Sequence, residues 1–458
     1  MGLLKKFFEP VDMTEGSPWK KIVLFTVPML VGNIAQQLYN TVDSVVVGNY
    51  VGDNALAAVG SAGPILNLLI VLFVGISVGA GIMVSQFFGA KQREELSQTI
   101  GNCITLTGIA TVFVMIFASL LSGPLLRILD TPESILGWCH SYLLILFIGS
   151  VGLAYYNILS GVLRGLGDSM SALLYLLVST VINIVLDIVF VANFKMGVNG
   201  VALATVIAQA VSAFLCLLRL LRLKEVFDLK PSYLKLSKRH TMGIVRLGLP
   251  SGITQAIFSM AMLVVQSLTN SFGEMFIAAN VIVMRVDGFA MMPNFSFGTA
   301  MTTYAGQNVG ARMYDRVETG AKQGTFIAVA TSAVITGTIL IFGEALMGIF
   351  TTTPELVRLS RDMMGILAVG YIAMAVTQSL SGVMRGAGDT MTPMWISIVT
   401  TIFVRVPIAY GVAFLTRSAE FPNGRQECIF ISLLTSWVIG AMVTFVFYRR
   451  GKWKKMHI

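Results

Sequence analysis

The sequence predicts an all-α integral membrane protein, with twelve transmembrane helices arranged as two parallel six-helix repeats. Three observations predict it. Of the 458 residues, 55% are hydrophobic and only 12% charged, against about 25% charged in a soluble domain. The apolar residues come in long continuous runs, and a helix needs roughly 20 of them to cross the hydrocarbon. Finally, the chain is written twice.

The apolar runs lie at 20–48, 55–84, 97–121, 136–160, 170–192, 197–219, 242–270, 276–304, 320–342, 358–382, 391–415 and 428–448. In lipid only helices and closed barrels satisfy their backbone, and the short alternating segments of a barrel are not present. The first run opens near Ile22 behind a polar tail with no small-residue cleavage site, so the first helix is expected to remain in the mature protein.

The net charge of +9 would suit a nucleic-acid partner, but its distribution points elsewhere. Of the 32 Lys and Arg residues, 24 fall on the N-terminus, the even-numbered loops and the C-terminus. The odd-numbered loops and their helix edges hold Arg127, Lys195, Arg358, Arg361, Arg417 and Arg425. That asymmetry is the positive-inside pattern. It predicts a multi-pass membrane protein with both termini cytoplasmic, and no nucleic-acid partner.

The duplication is visible in "SGVLRGLGDSM" at 160–170 and "SGVMRGAGDTM" at 381–391, displaced by 221 residues and identical at eight of eleven positions. "QFFGAKQ" from Gln86 returns as "QNVGARM" from Gln307, and Pro28 returns as Pro250. Six spans per copy is an even number, so the copies share one orientation and are parallel repeats. The expected division is an N-lobe over 1–219, a basic cytoplasmic linker over 220–241 that contains Pro231, and a C-lobe with a basic tail over 242–458.

Charges inside spans cost about 2.5–3.5 kcal/mol at mid-helix on insertion scales, and few are present. Asp43 ends a stripe on the first span formed with Asn33, Gln36 and Asn40 at helical spacing. On the fifth span Asn183 and Asp187 share a face. At 1.5 Å per residue, both aspartates reach similar depth and can meet within the N-lobe. Burial and a neighbouring like charge both disfavour an ionised carboxylic acid, so such a pair can take up and release a proton or a sodium ion. A purely structural pair joining two helices is the other reading.

The C-lobe differs. Its first span offers Gln255 and Gln266 but no acid, since Val265 stands where the repeat would place the counterpart of Asp43. Its charges are Arg285 and Asp287 on the second span and Arg405 on the fifth, where an Asp287–Arg405 pair would serve packing, substrate binding or gating. Pro28, Pro250, Pro293 and Pro407 lie within spans, where each removes a backbone bond and permits bending. Cys103 and Cys216 read as small apolar residues, while Cys139 and Cys428 both map near the outer face and leave a disulfide open. There is no H-E-x-x-H, P-loop or G-x-S-x-G. The chain is therefore expected to be neither an enzyme nor cofactor-dependent.

These residues resemble a known family. "PMLVGNIAQQLYNTVDSVVVGNYVGDNALAAVG" from Pro28, "RGLGDS", "RGAGDT" and "GQNVGA" from Gly306 are similar to multidrug and toxic compound extrusion (MATE) transporters, over nearly the whole chain. The acids on the first and fifth spans place the resemblance in the DinF-like branch. The resemblance implies the MATE fold and antiport of small cationic or amphipathic drugs against H+ or Na+. Its cation-coupling residues would fall on Asp43, Asn183 and Asp187, with Tyr142 and Thr205 beside them, and the first span would rearrange about Pro28. The chain is expected to act in the lipid bilayer of a bacterial inner membrane, and as a monomer. The alternative is a lipid-linked precursor flippase of the same superfamily, whose members tend to more spans and an Arg-lined cavity.

Overall fold

The structure, a computed structural model, describes residues 8–456. Ten unbroken helices are each long and apolar enough to cross a membrane. They are α1 (Pro18–Tyr50), α2 (Asp53–Gly89), α3 (Arg93–Ile128), α5 (Ser169–Asn193), α6 (Val198–Arg222), α7 (Lys238–Asn270), α8 (Glu274–Gly310), α9 (Tyr314–Gly348), α11 (Met391–Leu415) and α12 (Cys428–Arg450). Two bent pairs complete the set. α4 is Glu133–Ile148 followed by Ser150–Gly165 at 52°, and α10 is Pro354–Ala368 followed by Gly370–Gly386 at 42°. Counting each pair as one span gives twelve, six per repeat, and no strand is formed among the described residues.

The repeated motif has an architectural explanation. A Cβ on Gly161 would lie 2.3 Å from the Ser77 hydroxyl, and one on Gly165 would lie 2.7 Å from the Gly81 carbonyl. In the second copy, Gly382 and Gly386 would clash with the Gly298 and Thr302 carbonyls at 2.4 and 2.3 Å. Glycine is therefore what lets α4 lie on α2 and α10 on α8, the small-residue packing of membrane helices. Each motif then turns on a glycine of positive φ, Gly167 (86°) and Gly388 (101°). The next helix starts on the aspartate, with Asp168 Oδ1 accepting from the Ser171 amide at 3.0 Å and Asp389 Oδ1 from the Thr392 amide at 3.1 Å.

The basic connection between repeats is docked, not loose. Gly101 lets the Tyr233 carbonyl approach α3 closely, and the Asn102 side chain accepts from the Ser237 amide at 2.7 Å. Arg93 pairs with Asp228 at 3.0 Å and holds that carboxyl below its ordinary range. His240 meets Glu95 at 2.7 Å.

The chain divides into two compact units. One comprises residues 8–12 and Val27–Gly252, the other Met13–Thr26 and 253–456. Thus α1 changes unit just before Pro28 and α7 just after Pro250. Each unit has its own apolar core, one built around Phe73, Leu143 and Val162, the other around Phe276, Met364 and Phe430. All four cysteines are buried and free. Cys139 donates its thiol to the Ala58 carbonyl at 3.2 Å, so the disulfide left open by the sequence is not formed.

Candidate functional site

In the first unit, α1 and α5 bring three polar side chains into one hydrogen-bonded group. Asn183 Nδ2 donates to Asp43 Oδ1 at 2.5 Å and to Asp187 Oδ2 at 3.1 Å. Asn183 and Asp187 are fully buried and Asp43 is 9% exposed. Because Asn183 and Asp187 are one helical turn apart on α5, a single amide can hold its own-helix acid and the acid from α1 together. Tyr142 from α4 and Thr205 from α6 lie beside the carboxylates.

Sequence reasoning passed over Tyr39, one turn before Asp43, which completes the group and is buried. The signal was its i, i+4 spacing to Asp43, masked because a tyrosine in an apolar run reads as packing. The rest of the stripe does not share this environment. Asn33 and Gln36 are half-buried and Asn40 is exposed, while Pro28 is buried within the same helix.

The electrostatics of this group are lopsided. No Lys or Arg pairs with either carboxylate among the described residues. Four enclosed oxygens, Tyr39 Oη, Asn183 Oδ1, Asp187 Oδ1 and Thr205 Oγ1, make no hydrogen bond of ordinary geometry, with Thr205 in reach of both Asp43 and Tyr39. Buried polar atoms are normally satisfied. Unsatisfied oxygens around two acids form a group that a proton or a hard, oxygen-seeking cation would complete. No set of three or more His, Cys, Asp or Glu able to hold a resident metal occurs among the described residues.

The second unit repeats the helices but not the group. Val265 is buried in the apolar core, and Gln255 and Gln266 are exposed, with Gln266 donating to Asn270 Oδ1 at 2.8 Å. Arg285 is exposed, whereas Asp287, two residues on and across the helix, is turned inward. Asp287 does not make an ion pair with Arg405. Its Oδ1 instead accepts from the Tyr371 hydroxyl at 2.9 Å, and Tyr371 is fixed by the Trp437 ring at 5.8 Å. Arg405 ends a π-helical stretch, Val399–Arg405, which re-aims the residues around it. The corresponding helix α5 carries a π stretch too, Ile188–Asn193, directly after Asp187. Tyr371 was missed because its role depends on the break in α10, which leaves no trace in hydropathy.

Comparison with known proteins places the chain among transporters. The family profile MatE matches the chain twice, at residues 28–189 and 250–411, which is the duplication seen in the sequence. The chain is 32% identical over 409 residues to the probable multidrug resistance protein YoeA of Bacillus subtilis, covering 88% of each chain. It is 30% identical to the probable multidrug resistance protein YpnP of the same organism, covering 98% of each. Among solved structures, an outward-facing multidrug resistance MATE transporter of the MOP superfamily superposes with a TM-score of 0.90 at 25% identity, covering 98% of this chain and 99% of that one.

Proposed function

The chain belongs to the MatE family of multidrug transporters, and from that membership we propose that it is a secondary active antiporter that exports organic cations and amphipathic drugs in exchange for H+ or Na+. The observation that carries this reading is the Asp43–Asn183–Asp187 group, two buried acids held by one amide without a basic partner. An ion gradient does work only if the protein binds the ion on one side and releases it on the other. An acid pair whose ionised state is costly in a dry bundle supplies such a binding group.

In the proposed cycle an ion enters the group from outside and offsets one of its two negative charges, relieving the repulsion between adjacent carboxylates. α1 then rearranges about Pro28, next to the point where that helix passes between units, and cargo is displaced outward. Tyr142, Thr205 and Tyr39 serve as oxygen donors around the ion. The two repeats act as lobes that alternate access, 1–219 and 242–458, joined by the docked connection over 220–241. Both termini face the cytoplasm of a bacterial inner membrane, as the Lys and Arg distribution favours, and one chain suffices for transport.

The test is purified protein in liposomes with pH and sodium gradients imposed separately and ethidium as cargo. Asp43→Asn is expected to abolish gradient-driven efflux while leaving expression and ethidium binding measurable. Efflux at the wild-type rate in that variant removes the acid pair from the mechanism, and efflux that neither gradient drives removes antiport.

A further inference from the structure

The second unit holds a cation that the proposed cycle does not use. Arg405 lies near the middle of the 25-residue α11, too deep for its side chain to reach either surface. A guanidinium at such depth is expensive and ordinarily finds a carboxylate. Arg405 has none. Its Nε is enclosed and makes no hydrogen bond, and the ion pairs of the described residues all lie elsewhere. Asp287 lies close enough for the two charges to interact, and its Oδ1 accepts from the Tyr371 hydroxyl.

Two features accompany this arrangement. Tyr371 is clamped against Trp437, which holds its hydroxyl on Asp287. The π-helical turn ending at Arg405 sets the arginine on a backbone out of register with an ordinary helix, and such turns frequently occur at functional sites. The second repeat therefore keeps a planar, permanently charged fork with unused donors, the group best suited to bind carboxylate or phosphate oxygens.

We propose that Arg405, beside Asp287 and Tyr371, is a binding subsite for the anionic group of an amphiphile. This rests on the efflux reading and extends its cargo from organic cations to zwitterions. The anion is a carboxylate on a drug-like cargo or the phosphate of a lipid headgroup, which present the same oxygens to a guanidinium. Asp287 holds the charge of Arg405 between ligands, so the site is neutral overall when empty and gains a net negative charge as the anion enters.

The experiment compares two dyes that differ in one group. Rhodamine 110 is a zwitterion with a free carboxylate, and rhodamine 123 is its cationic methyl ester. Binding of each to purified protein in detergent is read by fluorescence anisotropy for the wild type, Arg405→Gln and Arg405→Lys. Arg405→Gln is expected to weaken rhodamine 110 about tenfold, equivalent to about 1.4 kcal/mol, and to change rhodamine 123 less than about twofold. Arg405→Lys keeps the charge but loses the fork, and is expected to weaken rhodamine 110 by a smaller factor. Thermal unfolding of each variant without dye shows whether it has kept its fold; if Arg405→Gln has not, the same comparison of the two dyes is read on Arg405→Lys.

A parallel arm measures thermal stabilisation by dihexanoylphosphatidylglycerol against uncharged dihexanoylglycerol. An Arg405-dependent effect in either arm upholds the subsite and names the source of its anion. Equal loss of both dyes, or indifference of both anionic probes to Arg405, overturns it. Wild-type protein that binds rhodamine 123 but neither anionic probe also overturns it, and leaves the efflux reading standing. Wild-type protein that binds no probe overturns both.

Discussion

Asn183 does more than either acid it touches, because its amide alone donates to both carboxylates. Hydrogen bonds to charged groups are worth about 1.5–3 kcal/mol each, and without the amide the two acids face one another with nothing between them. Asn183→Leu is therefore expected to cut gradient-driven ethidium efflux at least tenfold in everted vesicles, with protein still present in the membrane. An unchanged rate would mean the acids work independently. At this scale the sequence was informative where helical periodicity alone settles a contact. Asp43 sits at the end of a polar stripe, and Asn183 and Asp187 are one turn apart, so their faces follow from residue numbers. Tyr371 and Tyr39 were not legible, since a tyrosine in an apolar run gives no sign of whether its hydroxyl is engaged.

At the scale of elements, a demanding contact between two helix backbones joins α2 to the first half of α7. A Cβ on Gly248 would lie 2.0 Å from the Gly75 carbonyl, and one on Gly79 would lie 2.1 Å from the Ile244 carbonyl. Neither neighbour can yield, because both are helical backbone. Gly248→Ala must push the helices apart, an overpacking cost of about 1–3 kcal/mol. It is expected to lower the melting temperature in detergent by several degrees. Gly252→Ala, whose Cβ would meet the Val71 carbonyl at 3.4 Å, is expected to leave it nearly unchanged. Equal shifts for the two variants would refute this account of the packing. Hydropathy predicted the spans themselves because a lipid-crossing helix is defined by composition and length. It could not predict the bends in α4 and α10 or the π stretches in α3, α5 and α11. Those depend on how a helix is gripped by its neighbours, and a local change of pitch leaves the average apolarity of the run unaltered.

For the whole molecule, duplication produced two copies of one scaffold and only one acid group. The motif that survives in both copies is the one that packs α4 on α2 and α10 on α8, so its persistence follows from steric need. The acids had no such constraint. Val265 occupies the place of Asp43 within the apolar core of the second unit, and Val404 stands at the position corresponding to Asn183. If ion coupling required only a carboxylate at the right point of the repeat, moving it would restore transport. The geometry argues otherwise, since Asp43 is bonded to an amide that also holds a second acid, and the other copy lacks both. Asp43→Asn combined with Val265→Asp is therefore expected to remain inactive in the liposome assay. It should also melt lower than Asp43→Asn alone, because a carboxylate placed in that apolar core is buried without a partner. Recovery of gradient-driven efflux in the double variant would show that the two repeats are interchangeable in coupling, and that the hydrogen-bonded group in the first is incidental.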